Sequence, residues 1–298
     1  MNSARVLVVG SANMDLVARV PRFPKPGETL FGTTFATFSG GKGANQAVAV
    51  GRLGGPISFV GCVGNDEFGR SLLESLRESG ADCSLVETVP TSTGTAIILV
   101  DDRAENQIVV ISGANGCVRP EAVASAVESV EPAVALFQLE IPLEAVSAGL
   151  RRAKAMGATT VLNPAPAQPL DDAVLANVDV LTPNQTEAAL LVGRDGAPED
   201  LCDALLALGV GTVAMTLGAS GSLVATRAGK VHVPSIRVEA VDTTAAGDAF
   251  NGALALFLAQ GEPLEHSVAL ANRAGALAAT RHGAQASLPS LAELRAVL

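Results

Sequence analysis

An α/β fold with a mostly parallel sheet is what the order of apolar segments predicts. Short β-branched runs bounded by Gly, Asn or Pro recur at residues 6–9, 57–60, 134–137, 161–162, 178–181 and 213–217, the signature of strands buried on both faces. Longer helical patterns lie between them, at 43–53, 68–79, 120–129, 142–156, 186–191, 198–208, 247–259 and 263–280. Strands and helices in alternation make βαβ units, and those units make a parallel sheet. Two segments break the rhythm. Residues 13–38 contain Pro21, Pro24 and Pro26, and residues 93–111 read as two strands, 95–100 and 107–111, joined like a hairpin by the polar stretch 101–106. Together they suit a small extra sheet beside the main one. No internal repeat, low-complexity tract or inter-domain linker interrupts the chain, so residues 1–298 are expected to form one domain with a small β insertion.

Composition narrows the function. Of 298 residues, 48% are hydrophobic and only 17% charged, enough apolar material for a sizeable core. The net charge is −10, and Trp and Tyr are absent. Basic patches and stacking platforms are what nucleic acids and anionic membranes require, so neither is an expected partner. An anionic ligand would have to be held by backbone amides, a helix N-terminus or a metal ion. Cys62, Cys83, Cys117 and Cys202 are widely spaced and form no C-x-x-C pair, which predicts reduced, buried thiols in a cytoplasmic protein. The apolar run at the start of the chain is too short for a signal peptide, and none is long enough to span a membrane.

Five stretches carry candidate chemistry. There is no P-loop and no G-x-G-x-x-G fingerprint, and His232, His266 and His282 lie in no catalytic or metal-ligating pattern. Ser39-Gly40-Gly41-Lys42-Gly43-Ala44-Asn45-Gln46 opens a helix; its glycines allow close backbone approach, and Asn45 offers a donor and an acceptor to hydroxyl groups. Gly10-Ser11-Ala12-Asn13-Met14-Asp15 follows the first strand, where open α/β sheets bind ligands; an Asx turn explains it equally well. In Asp242-Thr243-Thr244-Ala245-Ala246-Gly247-Asp248, small residues lead into a helix. The amides of Ala245, Ala246 and Gly247 would meet an anion there, and Asp248 would stand beside it as a proton acceptor. Asn184 and Glu187 have the spacing of a helix cap, the favoured reading, and the same pair could orient waters around Mg²⁺. Thr216-Leu217-Gly218-Ala219-Ser220-Gly221 ends a strand in a Gly-rich turn that could pack against a nucleotide or be a turn only.

Taken together, these residues resemble the ribokinase family of carbohydrate kinases, also called the phosphofructokinase-B family, over essentially the whole chain. The most specific stretches are Gly40-Gly41-Lys42-Gly43-Ala44-Asn45-Gln46-Ala47 and Asp242-Thr243-Thr244-Ala245-Ala246-Gly247-Asp248. Within the family, Gly113-Ala114-Asn115, Asn163-Pro164-Ala165-Pro166-Ala167, Thr182-Pro183-Asn184-Gln185-Thr186-Glu187 and Gly283-Ala284-Gln285 resemble the ribokinase subgroup.

The resemblance implies a three-layer αβα fold with a β-sheet lid formed by residues 13–38 and 93–111, often the dimer contact. It implies ATP-dependent phosphorylation of ribose at its 5-hydroxyl. Asn13, Met14, Asp15, Gly41, Lys42, Gly43, Ala44, Asn45 and Glu140 fall at sugar-binding positions. Asp248 falls at the catalytic base, and Ala245, Ala246 and Gly247 at the anion hole. Nucleotide contacts fall on Asn184, Thr216, Leu217, Gly218, Ala219, Ser220, Gly221, Gly247, Asp248 and Asn272, and a Mg²⁺-linked position on Glu187. A K⁺ site would use Asp242, Thr244, Ala278, Arg281, Gly283 and Ser287. A sister kinase for deoxyribose, fructose, a sugar acid or a nucleoside is the alternative, and a non-catalytic sugar-binding protein a further one. A binder has no need of the base at Asp248.

Overall fold

The computed structural model describes residues 4–103 and 105–297. The strands, in chain order, are β1 Val6–Val9, β2 Asn13–Arg19, β3 Thr34–Gly40, β4 Ile57–Gly64, β5 Val86–Val89, β6 Gly94–Val100, β7 Asn106–Ile111, β8 Val134–Phe137, β9 Thr159–Leu162, β10 Val180–Leu181, β11 Thr212–Thr216, β12 Ser222–Thr226 and β13 Gly229–Val233. The helices are α1 Lys42–Arg52, α2 Glu67–Glu78, α3 Pro120–Val130, α4 Leu143–Ala155, α5 Asp172–Leu175, α6 Gln185–Val192, α7 Pro198–Ala207, α8 Ala246–Ala259, α9 Leu264–Ala278 and α10 Leu291–Ala296.

Nine strands form the main sheet in the order β13-β12-β11-β10-β9-β8-β1-β4-β5. It is parallel from β5 to β11, and β12 and β13 close that edge as an antiparallel hairpin. Alternation along β1 divides the interior. Val6 and Val8 enter one core with Ala47, Val50, Leu254 and Leu270, while Leu7 and Val9 enter the other with Val127, Leu150 and Leu205. Helices α1, α8 and α9 therefore cover one face, and α3, α4 and α7 the other. This is the three-layer fold expected. The four-stranded second sheet, β3-β2-β6-β7, occupies the two segments that break the sequence rhythm.

Strands β5, β12 and β13 and helices α5 and α10 lie outside the sequence-based elements. Cys117 is exposed, whereas Cys62 and Cys202 are buried and Cys83 is half-buried, so the expectation of four buried thiols holds only in part; all four are free. Among the described residues no helix is long and apolar enough to cross a membrane.

Candidate active site

Strand order fixes where a ligand can sit. From β1 the chain builds the sheet in one direction through β4, and from β8 in the other through β9, β10 and β11. The carboxyl ends of β1 and β8 thus flank a switch point, where the connecting segments diverge and leave a crevice. Residues just beyond the strand ends line it: Ser11 after β1, Gln138 and Glu140 after β8, Asn163 after β9, and Thr182 after β10. Ser11 Oγ donates to Glu140 Oε2 across the switch point at 2.5 Å. The Lys42 backbone N–H reaches the same oxygen at 3.0 Å and fastens the first turn of α1 there.

Gly41 is the N-cap of α1, with φ at +88°, and a Cβ on it would stand 2.6 Å from the Asn13 nitrogen. Both facts require glycine. The turn delivers Asn45 and Gln46 inward, and both meet Asp248, the third residue of α8. Asn45 Nδ2 donates to Asp248 Oδ2 at 2.9 Å, and Gln46 Nε2 to Asp248 Oδ1 at 2.9 Å. Asn45 Oδ1 is buried without a hydrogen-bond partner among the described residues, an acceptor fit for a ligand hydroxyl.

Strand β2 leaves the crevice to enter the small sheet. Asn13 is held by Asn115 Nδ2, which donates to its Oδ1 at 2.7 Å. Asn13 and Asp15 share one face of β2 by the two-residue period, and Phe38 of β3 stands opposite Asp15. Met14, also expected at the sugar, points to the other face, and its side chain is buried in the hydrophobic core. Gly43 and Ala44 pack on the turn after β1. A Cβ on Gly43 would stand 2.6 Å from the Ser11 nitrogen, and Ala44 N–H donates to the Ser11 carbonyl at 2.8 Å, so these two fix the turn that frames the site.

Three carboxylates, Asp15, Glu140 and Asp248, converge. Burial pushes Asp15 up to about 7, with Glu140 and then Asp248 adding like-charge repulsion. Burial also raises Asp248 above the usual carboxylate range, opposed by the Lys42 ammonium and by the amide donors of Asn45 and Gln46. Lys42 is felt by Glu187 too, whose carboxyl is raised by burial.

Beside this polar crevice, a cleft of about 440 Å³ opens over the N-terminal end of α8. Thr216, Gly218, Ala219, Gly221, Gly247 and Asn272, expected at a nucleotide site, line it together with Ala246, expected in the anion hole. Leu217 packs against the other core and Ser220 is exposed. The loop residues Ile236 and Val238, with Phe250 and Ala276, supply apolar walls that no motif announced. The Asn272 amide is committed internally, accepting from Ser222 Oγ at 2.7 Å and donating to the Val233 carbonyl at 2.9 Å. These bonds tie α9 to β12 and β13 at the wall of the cleft. Ala245 caps α8 in the left-handed region, φ +57°. Ala246 N–H turns back to the Thr243 carbonyl at 3.2 Å, so of the expected trio Ala246 is engaged, while Ala245 N–H has no acceptor among the described residues. Gly247 and Asp248 have no N–H acceptor among the described residues, which leaves their amides for an anion.

Asn184 and Glu187 form a complete capping box on α6: Asn184 Oδ1 accepts from Glu187 N at 2.8 Å, and Glu187 Oε2 from Asn184 N at 2.9 Å. No group of three or more His, Cys, Asp or Glu residues is placed to cage a metal among the described residues. One half-buried carboxylate suits Mg²⁺ held through water, not an all-protein site. Asp242 accepts from Thr244 N at 2.9 Å and Gly283 N at 3.0 Å, which joins two of the segments assigned to K⁺. Ala278, Arg281 and Ser287 lie on the same C-terminal stretch, with Arg281 paired to Glu293 at 2.7 Å. These contacts bring Asp242, Thr244 and Gly283 together, the part of the expected K⁺ set that the structure joins.

The model of the pfkB family of carbohydrate kinases matches residues 3–291. The chain belongs to that family. It is 40% identical over 292 residues to the ribokinase of Haemophilus influenzae, covering 96% of this chain and 95% of that one. It is 37% identical to a deoxyribokinase of Salmonella typhimurium, with 98% of each covered. A solved structure of Arabidopsis thaliana ribokinase complexed with ribose and ATP superposes with a TM-score of 0.91 at 30% identity, covering 100% of this chain and 99% of that one.

Ser11, Gln46, Asn115, Gln138 and Asn163 complete the site and had no role in the sequence reading. Gln46, Asn115 and Asn163 stood inside recognised stretches. Ser11 stood in the turn after the first strand, and only the position of Gln138 at a strand end marked it out.

Proposed function

We propose that this carbohydrate kinase transfers the γ-phosphoryl group of ATP to the 5-hydroxyl of D-ribose, giving ribose 5-phosphate and ADP. The observation that carries the reading is the place of Asp248. Its buried carboxylate stands between the polar crevice and the cleft at the N-terminal end of α8. Ribose is favoured by the likeness to ribokinases, and deoxyribose is the second reading, favoured by the likeness to a deoxyribokinase.

Asp15, Asn45 and Glu140 hold the sugar hydroxyls. Asp248 orients the 5-hydroxyl and takes its proton as that oxygen bonds to the γ-phosphorus. The bond from phosphorus to the β–γ bridging oxygen breaks, and ADP leaves. The amides of Gly247 and Asp248 stabilise the charge that develops on the transferring group. Glu187 would hold Mg²⁺ through water, and the ion would supply charge neutralisation at the phosphates. Asp242 and the carbonyls around Ala278 and Gly283 would hold K⁺, which would supply positive charge behind the amide end of α8.

The small sheet acts as a lid over the sugar, excluding water. Its exposed apolar residues, Phe35, Ile97, Ile108, Val109 and Val110, support a homodimer formed through it. Four free cysteines suit a reducing compartment and support a cytoplasmic enzyme.

The test is ADP release with MgATP and K⁺ across ribose, 2-deoxyribose, fructose, adenosine and a sugar acid. A kcat/KM for ribose at least about tenfold above every other sugar supports the reading. A preference for 2-deoxyribose moves the assignment to the second.

A further inference from the structure

We propose that Gln138 and Gln46 form a one-way amide relay that holds Asp248 as the acceptor of the substrate proton. Gln46 touches the base, and Gln138 is a positioning residue that acts through Gln46. The inference rests on the reading of Asp248 as the base.

An amide side chain has a donor end and an acceptor end, and its neighbours decide which end faces which way. An ionised carboxylate only accepts, so the Gln46 group 2.9 Å from Asp248 Oδ1 is the NH₂. The same NH₂ spends its second hydrogen on Asn163 Oδ1 at 3.1 Å, and Asn163 Nδ2 passes on to the Thr182 carbonyl at 3.4 Å. That leaves Gln46 Oε1 turned to Gln138, where Gln138 Nε2 donates to it at 2.5 Å. Every amide in the chain therefore points one way, and Gln138 sets the direction.

Gln138 keeps this orientation at a cost. Its Oε1 is buried with no partner among the described residues. It lies against Gly10, where a Cβ would stand 2.0 Å from it. A buried carbonyl left unpaired does not serve stability; it marks a side chain retained for the direction of its donor. Without that donor only Asn163 Oδ1 opposes a Gln46 amide turned with its carbonyl toward Asp248, an arrangement that favours the protonated acid. The charged groups facing Asp248 are Lys42 at the start of α1, Glu140 beyond β8 and Asp15 in the lid strand, and the variants below alter none of them.

The experiment is the pH profile of kcat at saturating ribose and MgATP for the wild type, Gln138→Met and Asp248→Asn, with kcat chosen because it reports the substrate-bound enzyme. Gln138→Met keeps the volume and removes the donor. Its acid limb is expected to move up by about one pH unit, so that kcat falls about tenfold below the limb and recovers at high pH. KM for MgATP should stay within about twofold, which a misfolded protein would not allow. Gln138→Leu also removes the donor without adding a charge and should move the limb the same way, so the test survives if the Met variant fails to fold. An unmoved limb, or a kcat lowered equally at every pH, overturns the relay while an inactive Asp248→Asn leaves the base assignment standing. Near-wild-type turnover in Asp248→Asn removes the base assignment and the relay with it.

Discussion

Replacing Asp15 by Asn should make the free protein more stable at high pH while taking away its hold on the sugar. In the folded chain Asp15 is pushed from 3.8 up to about 7, first by burial and then by the carboxylates of Glu140 and Asp248. A raised folded pKa means that the stabilising state is the protonated one. Its contribution is fully present below the unfolded value of 3.8 and is lost as pH rises through about 7. At about 1.4 kcal/mol per pH unit, a gap of roughly three units is a cost of about 4 kcal/mol above pH 7, reduced to about 2 kcal/mol by water reaching a residue that is not fully buried. Asparagine keeps the shape, carries no charge, and can donate to the two neighbouring carboxylates. In a chain of this size about 2 kcal/mol corresponds to roughly 4 °C in Tm. The assay is thermal unfolding of wild type and Asp15→Asn without ligand, from pH 4 to pH 8.5, with ribose titration calorimetry at pH 8. The variant should match the wild type near pH 4, exceed it by a few degrees at pH 8, and bind ribose far more weakly. A Tm difference independent of pH, or a variant less stable at pH 8, would refute the reasoning.

Further outcomes follow from the same geometry. Gly41→Ala forces a Cβ toward the Asn13 nitrogen and a side chain into φ +88°, so it should cost about 1–3 kcal/mol in chemical denaturation and raise KM for ribose more than KM for MgATP. An unchanged denaturation midpoint would count against the tight turn as the reason for glycine. Exchange of K⁺ for Na⁺ should slow turnover in the ribose assay, and Asp242→Ala should abolish that difference. A rate indifferent to the cation removes the K⁺ assignment.

Much of the candidate site was legible because its residues announce themselves locally. Gly41 must be glycine where the chain turns into α1, and Asp248 sits in the first turn of a helix preceded by small residues. The parts the sequence could not show depend on facts with no local trace. Met14 follows Asn13 in sequence, but the strand period sends it to the opposite face and into the core. The bonds that tie Asn272 to Ser222 and Val233 depend on β12 and β13, a hairpin the sequence reading missed. Ala246 N–H is consumed because Ala245 turns into the left-handed region, which nothing in an Ala-Ala-Gly sequence specifies. Gln138 and Asn163 are single amides at the ends of different strands. Only the parallel order of β8 and β9 beside β1 brings them under Asp248. Local spacing reveals what one element does alone, and residues assembled across the switch point need the sheet order first.

The central claim is that Asp248 takes the proton from the sugar, and single-turnover phosphorylation of ribose by Asp248→Asn tests it most directly. With saturating MgATP and K⁺, the rate should fall by about a hundredfold or more while Tm and KM for ribose stay near the wild-type values. A transfer rate close to that of the wild type would contradict the account.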